Sequence, residues 1–201
     1  MTLSNEALDF LRGEISKQIS GKRLLHTYAV ENEIKRLGEI YGFNETEMLK
    51  LRASALLHDI TKEIPTDGQI EFCKQRGIKI TDDDKRSPKL FHSLTGAYLS
   101  RELYPDLVDD TVFGAILYHT SGRPNMTLFE KLLYLADYIE ETRTFPDCIT
   151  LRDYFYSTKE FTEEHLNKTL LLSYDMTVKN LIDEGKTIHP TTVSARNYLI
   201  K

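Results

Sequence analysis

The chain has 201 residues, of which 40% are hydrophobic and 28% are charged, and its formal net charge is -5 at pH 7. These values are typical of a globular protein with a sizeable hydrophobic core. The negative charge excludes a broad basic surface, so nucleic acid is not an expected partner.

No segment resembles a secretion signal or a membrane span. The N-terminus mixes charged and apolar residues, and no apolar run is long enough to cross a bilayer. Cys73 and Cys148 lie far apart and form no CxxC pair, which is typical of a reducing compartment. We therefore expect a cytoplasmic protein without a membrane partner, in which both cysteines are small buried side chains.

Most of the chain is predicted to be helical, because apolar residues recur three or four positions apart behind polar capping residues. In the first half, the predicted boundaries are an end at Gly42, a capped start at Asn44 with an end near His58-Asp59, and a helix from Thr66 or Asp67 to Gly77. In the second half, they are a start at Ser87-Pro88, a helix from Asp109 to His119, a capping box at Thr127 and Glu130, a helix from Thr162 to Gly185, and a start at Thr191 or Thr192.

Two segments lack this pattern. Residues 79–89 are rich in Asp and Lys, and we interpret them as a loop over the site. Residues 143–162 are less periodic and are expected to lie at the edge of the bundle. Period-two alternation is absent, so no sheet is predicted. The prediction is an all-α single domain over residues 1–201, with a core at about 23–143 and C-terminal helices, 162–201, packed on it.

Histidine and aspartate interrupt the apolar helical segments at five places. In chain order these are His26, His58-Asp59, His92, His119 and Asp137. Burying an imidazole or a carboxylate among leucines is costly unless the group is paired or bound to a metal. Several such residues in one helical chain indicate ligands that converge on a metal ion.

The adjacent pair His58 and Asp59 can bind one ion if their helix ends there, and Pro65 soon afterwards agrees with such an end. His26 and Asp137 then come from two other helices. A site of nitrogen and oxygen ligands, without cysteine, is typical of a catalytic centre that keeps positions open for water. Iron, manganese and zinc all suit these ligands.

Polar residues near this set suggest a phosphate ligand. Lys62 follows the His-Asp pair by one turn, and Arg143 lies just beyond the predicted helix of the distal aspartate. Each is either an ordinary surface charge or a phosphate ligand, and Arg143 can bind phosphate through two nitrogens. Thr120 offers a hydroxyl near the same place. His165 and His189 are interpreted as surface residues.

These segments resemble the HD superfamily of metal-dependent phosphohydrolases, with a first His in RLLHTYAV, the His-Asp pair in LLHDITKE and a distal Asp in LLYLADYIEETR. FHSLTGAYL, ILYHTSGRPNMTLFEKLLYLADYIEETR and a closing HPTTVSARN are similar to the bacterial symmetrical diadenosine tetraphosphate hydrolases of YqeK type. The resemblance extends over about residues 23–198. It implies an HD-type helical bundle with a metal site among its central helices.

The resemblance also implies a ligand set and a substrate. The implied metal is iron, with manganese or zinc as alternatives, and the implied metal ligands are His26, His58, Asp59 and Asp137. The implied substrate is a dinucleoside polyphosphate and the product is ADP, held by His26, Asp59, Lys62, His92, His119, Thr120, Asp137, Arg143, Ile188, His189, Thr191 and Thr192. Catalytic roles are expected for Asp59, His92 and His119, where the two histidines either hold a second ion or protonate the leaving group.

The expected reaction is therefore the symmetric cleavage of diadenosine tetraphosphate to two ADP. Two alternatives stay open: another HD phosphohydrolase that acts on nucleotides or guanosine alarmones, and a nucleotide sensor that binds without turnover. The complete ligand set favours an enzyme, because a sensor needs no open metal position. A homodimer is also left open.

Overall fold

The computed structural model describes residues 2–200, which form eleven α-helices and one short 3-10 helix, without a strand. The α-helices are α1 (Asn5–Ile15), α2 (Gly21–Ile40), α3 (Glu45–Leu57), α4 (Thr66–Gln75), α5 (Asp82–Arg86), α6 (Phe91–Leu103), α7 (Asp110–Tyr118), α8 (Leu128–Ile139), α9 (Pro146–Tyr156), α10 (Glu163–Asp183) and α11 (Pro190–Tyr198). The prediction of an all-α fold is confirmed.

Capping residues explain where several helices begin. The Asn44 side chain accepts a hydrogen bond from the backbone N–H of Glu47, and the Glu47 side chain accepts one from the backbone N–H of Asn44. Thr127 and Glu130 form the same reciprocal pair at the start of α8. The Asp109 carboxylate caps α7 by accepting hydrogen bonds from the backbone N–H groups of Thr111 and Val112. Such contacts satisfy N–H groups that have no partner inside the helix. These predicted starts are confirmed.

Two segments differ from the sequence-based expectation. The polar stretch 79–89 is not a continuous loop, because α5 forms within it behind a capping box between Thr81 and Asp84. The stretch 143–162 contains the three-turn helix α9, whose Leu151 and Phe155 are fully buried. Both segments are therefore ordered parts of the helical fold.

Two predicted helix starts are also displaced. Ser87-Pro88 opens the 3-10 helix Pro88–Leu90, and α6 itself begins at Phe91. The last helix begins at Pro190, before Thr191 and Thr192, because the His189 side chain caps it. Proline suits the first helical position, since its missing N–H would have no partner there.

Helix α3 lies between two groups of buried apolar side chains. Its Leu51 and Ala55 pack with residues of α2, α8 and α10. Its Ala53, Leu56 and Leu57 pack with residues of α1, α6 and α7. The C-terminal end of α3 is therefore fixed from both sides, and the residues that follow it are held in the interior.

Two further expectations concern the cysteines and membrane-spanning segments. Cys73 and Cys148 are buried and unpaired, as predicted. Within residues 2–200, no helix combines the length and the apolar character that crossing a membrane requires.

Candidate metal centre

Five helices bring the predicted polar residues together in the interior. These residues are His26 in α2, His58 and Asp59 at the end of α3, His92 in α6, His119 at the end of α7, and Asp137 in α8. All are buried except Asp137, whose side chain is 18% exposed. Helices α3 and α7 end at a histidine, so the residue types that interrupt the apolar pattern also mark the ends of elements.

The Asp59 carboxylate lies in the middle and faces a different pair of histidines with each oxygen. Its Oδ2 is 3.8 Å from His26 Nε2 and 3.6 Å from His58 Nε2. Its Oδ1 is 3.3 Å from His92 Nε2 and 3.7 Å from His119 Nε2. The centre thus has two halves joined by one carboxylate, which we call the Oδ2 half and the Oδ1 half.

Asp137 adds a second carboxylate to the Oδ2 half. Its Oδ1 is 3.0 Å from His26 Nε2 and 3.8 Å from His58 Nε2. Glu141, one turn further along the chain, is exposed. The chain therefore presents Asp137, and not Glu141, to the interior.

Several buried atoms of this centre have no well-formed hydrogen bond within residues 2–200. They are His26 Nε2, His58 Nε2 and Asp59 Oδ1. Leaving such atoms buried and unpaired is costly, and all three are atom types that bind divalent metals. Ligand atoms of His26, His58 and Asp59, and likewise of Asp59, His92 and His119, lie within 4.8 Å of one another. The residues therefore fit a divalent ion.

Backbone carbonyls orient three of the imidazoles. In His58, His92 and His119, Nδ1 donates to the carbonyl of the residue three positions earlier, in each case at 2.6 Å. Because Nδ1 carries the proton, Nε2 presents its lone pair to the centre. Burial lowers the pKa of His58 to about 4. Burial also lowers the pKa of His92, and the positive charge of the nearby Lys62 lowers it further.

Glu140 orients the remaining imidazole, and the sequence analysis missed it. Its fully buried carboxylate lies 2.9 Å from Nδ1 of His26 and also accepts hydrogen bonds from the backbone N–H and the hydroxyl of Thr142. Burial acts to raise the pKa of Glu140, but these hydrogen bonds outweigh it and lower the pKa. The available signal was its position three residues after Asp137, on the same side of the chain.

The predicted phosphate cations both reach the centre. Arg143 Nη2 donates to Asp137 Oδ1 at 2.7 Å. Lys62 Nζ is 2.9 Å from His92 Nε2 and 3.7 Å from Oδ1 of the shared carboxylate. The Thr120 hydroxyl is 3.1 Å from the same imidazole nitrogen. The sequence-predicted residues up to Arg143 are thus brought to one place.

Arg23 is a third cation at the centre, and the sequence analysis missed it as well. Its Nη1 donates to Asp59 Oδ2 at 2.7 Å. The signal that could have found it is its position three residues before His26, which places both residues on one face of α2.

The predicted nucleotide-binding tail makes contacts next to the centre. It comprises Ile188, His189, Thr191 and Thr192, of which Thr192 is buried. The His189 Nδ1 accepts a hydrogen bond from the Thr191 backbone, and its Nε2 lies 3.2 Å from Asp84 of α5. In α11, the Tyr198 hydroxyl donates to the Asn125 side chain. The tail therefore packs on α5 and on the loop that follows Thr120, and none of these contacts is with a histidine of the centre.

Known proteins are similar to this chain in sequence. The HD domain family model matches residues 23–142 of the chain, which is more than half of it. A Bacillus subtilis protein named bis(5'-nucleosyl)-tetraphosphatase, symmetrical, is 33% identical over 92% of this chain and 94% of its own. A protein of the same name from Halalkalibacterium halodurans is 30% identical over 92% and 93%.

A solved structure has the same fold. It is described as a predicted HD superfamily hydrolase involved in NAD metabolism from Clostridium acetobutylicum. It superposes with a TM-score of 0.86 at 36% sequence identity, covering 100% of this chain and 98% of that one.

Proposed function

The chain belongs to the HD domain family, and we propose that it is a metal-dependent hydrolase that cleaves diadenosine tetraphosphate symmetrically to two ADP. The observation that carries this proposal is one buried carboxylate, Asp59, which lies between two histidine pairs and is flanked by Arg23 and Lys62. The relatives named symmetrical tetraphosphatases, which match 92% of the chain, support the choice of substrate.

The two halves of the centre suit two ions. His26, His58, Asp59 and Asp137 would hold the first, and Asp59 with His92 and His119 would hold a second. We propose iron, with manganese and zinc as alternatives, because imidazole and carboxylate ligands suit all three. When bound, such an ion lowers the pKa of a coordinated water and polarises a phosphoryl oxygen. The orientation of Nε2 toward Asp59 favours a ligand role for His92 and His119 over a proton-donor role.

The chain's own cations act on the phosphates. Arg143 offers a planar guanidinium beside Asp137, and Lys62 offers an ammonium beside His92. Their side chains are 28% and 33% exposed, so neither is fully enclosed and a phosphate could approach both. Charges fixed in this way stabilise the negative charge that develops on phosphoryl oxygens.

The tail would fix one nucleoside. Ile188, His189, Thr191 and Thr192 lie at the start of α11, which packs beside the loop after Thr120, and we propose that they close over one ADP. A symmetric substrate presents the same ADP group at both ends. Holding one ADP by its terminal phosphate at the centre leaves the central anhydride at the reacting position, so positioning alone fixes the bond that breaks.

Metal reconstitution with a nucleotide panel tests this function. Chelator-stripped protein would be reloaded with iron, manganese or zinc and assayed on diadenosine tetraphosphate, nucleoside mono- and triphosphates, a guanosine alarmone and NAD+. We expect turnover of diadenosine tetraphosphate in preference to the others. Preference for the alarmone or for mononucleotides would contradict the proposal, and binding without turnover under every metal would support the sensor.

Substitution of two proposed ligands tests the centre itself. His58→Ala and Asp137→Ala should lose bound metal, and activity should fall on the order of a thousandfold or more. Asp153 is exposed on α9, so Asp153→Ala is a matched control that should keep both metal and activity. Metal content is measured by elemental analysis. Full metal and activity in His58→Ala or Asp137→Ala would end the assignment.

A further inference from the structure

We propose that Arg23 forms a second phosphate subsite, on the Oδ2 half, which holds the departing ADP end of the dinucleotide. Lys62 and Thr120 hold the other ADP on the Oδ1 half. This inference rests on the proposed function, because it concerns how one dinucleoside tetraphosphate lies across the two halves of the centre.

The positions of the cations carry the first step. Lys62 Nζ is 3.7 Å from Asp59 Oδ1, and Arg23 Nη1 is 2.7 Å from Asp59 Oδ2. One cation therefore stands at each end of the shared carboxylate. A polyphosphate chain that crosses this carboxylate meets a fixed positive charge on either side of the bond to be cleaved.

The Arg23 guanidinium has unused hydrogen-bonding capacity. Its Nη1 donates to Asp59, but its Nε is buried and has no acceptor within the described part of the chain, residues 2–200. An arginine fork can donate two parallel hydrogen bonds to a phosphate. The side chain is 26% exposed, so part of it is accessible to a ligand although its Nε is buried.

The charge balance supports an anion at this place. Three carboxylates, of Asp59, Asp137 and Glu140, face three cations, of Arg23, Lys62 and Arg143. These charges cancel, so every divalent ion that binds leaves a positive surplus. A tetraphosphate brings about four negative charges, one for each phosphate, and thus offsets the surplus.

Binding measurements on metal-loaded protein separate the two subsites. The probes are ADP and a diadenosine tetraphosphate analogue whose central bridging oxygen is replaced by methylene, both titrated calorimetrically. Arg23→Met should weaken binding of the analogue by about 10–100-fold, since charge-assisted hydrogen bonds are lost, and change ADP binding less than about twofold. Lys62→Met should weaken binding of both probes.

Two companion variants keep the result interpretable. Lys22→Met removes a neighbouring exposed charge and should change neither affinity. Arg23→Lys keeps the charge without the fork, so it should lie between wild type and Arg23→Met, and it serves if Arg23→Met does not fold. Metal content should stay constant in all variants.

The outcomes that overturn the inference are distinct. Equal weakening of ADP and the analogue by the Arg23 variants would place Arg23 in the ADP subsite, and no weakening or a loss of metal would give it a structural role. Failure of the proposed function looks different, because the wild-type protein would then bind the analogue no better than ADP and would not hydrolyse diadenosine tetraphosphate.

Discussion

Glu140 is not among the proposed metal ligands, but it orients one of them, His26. Nδ1 of His26 faces the buried Glu140 carboxylate at 2.9 Å, which fixes the ring with Nε2 toward Asp59 and Asp137. Burial acts to lower the pKa of His26, but the adjacent carboxylates of Asp137 and Glu140 outweigh it and raise the pKa. A metal must therefore displace a proton from His26 when the pH is below that raised value.

Removal of this orienting acid should weaken metal binding. Glu140→Ala is expected to lower metal affinity by about 10–100-fold, measured by competition with a chromogenic chelator. Glu140→Gln keeps an acceptor and should lose less. Glu141→Ala removes an exposed neighbouring acid and should change affinity less than about twofold. Unchanged affinity in Glu140→Ala, or an equal fall in Glu141→Ala, would contradict the orienting role.

Buried neutral histidine should make the metal-free protein sensitive to acid. The pKa of His58 is about 4 in the fold, against an ordinary value of 6.5. Between these values the unfolded chain binds a proton that the fold excludes, so the free energy of unfolding falls as the pH falls. This residue contributes a loss of about 3 kcal/mol by pH 4.

Denaturant unfolding of metal-free protein at a series of pH values measures this loss. The lowered pKa of His92 adds in the same direction, whereas the stability linked to the raised pKa of His26 is lost as the pH rises above 6.5. Asp59 and Asp137 have pKa values well below 3.8, so the stability linked to them is lost mainly below pH 4. His58→Asn should flatten the slope between pH 6.5 and pH 4, and an unchanged slope would be the contrary result.

At the scale of elements, the turn after α7 connects the metal centre to the C-terminal helices. Gly122 has φ of 63°, and a Cβ there would overlap the Tyr174 hydroxyl of α10 and come within 3.3 Å of Ala195 of α11. Both helices thus pack directly on the backbone that follows Thr120. The position requires glycine for its conformation and for the close approach.

Substitution at this turn separates these two requirements. Gly122→Ala should lower the free energy of unfolding by about 3 kcal/mol or more, from backbone strain and a steric clash together. Gly185 has the same φ of 63° and nothing within 4 Å of an added Cβ, so Gly185→Ala should cost only about 1 kcal/mol. Urea unfolding measures both. Equal losses would mean that the packing against Tyr174 and Ala195 adds nothing.

Element boundaries were predictable where the signal was local. Asn44, Thr127 and Asp109 were predicted to start helices because their side chains can cap the backbone N–H groups of the first turn, and the structure confirms these caps. Helix α9 was missed because it begins at Phe145-Pro146 without a side-chain cap. Its apolar residues Ile149 and Tyr154 are exposed, so the apolar positions of this helix do not follow one buried face. Helix α5 was missed because five residues without a buried side chain give no period to detect.

The site was predictable to the extent that its residues contradict their surroundings. His58 and Asp137 stand out because polar groups interrupt apolar helices. Glu140 and Arg23 do not stand out, since charged residues at helix ends are ordinary, and their role depends on which side chains lie opposite them. The division of the centre by Asp59 into two halves is likewise tertiary information, which no spacing in the sequence contains.

The whole molecule gathers three cations around the candidate metal centre of an acidic protein. The net charge is -5, yet Arg23 and Lys62 lie beside Asp59 and Arg143 lies beside Asp137. The two apolar cores on either side of α3 hold the end of that helix, and so fix His58 and Asp59 where the other helices meet. A rigid setting of this kind suits cleavage controlled by position rather than by groove-wide attraction.

Hydrolysis of diadenosine tetraphosphate in oxygen-18 water tests the central claim most directly. The products would be separated chromatographically and their label located by mass spectrometry. Because one held ADP presents only the central anhydride to the metal centre, we expect ADP as the sole primary nucleotide product, with the label on its terminal phosphate. AMP and ATP as primary products would contradict symmetric cleavage and the proposed arrangement of the substrate across Asp59.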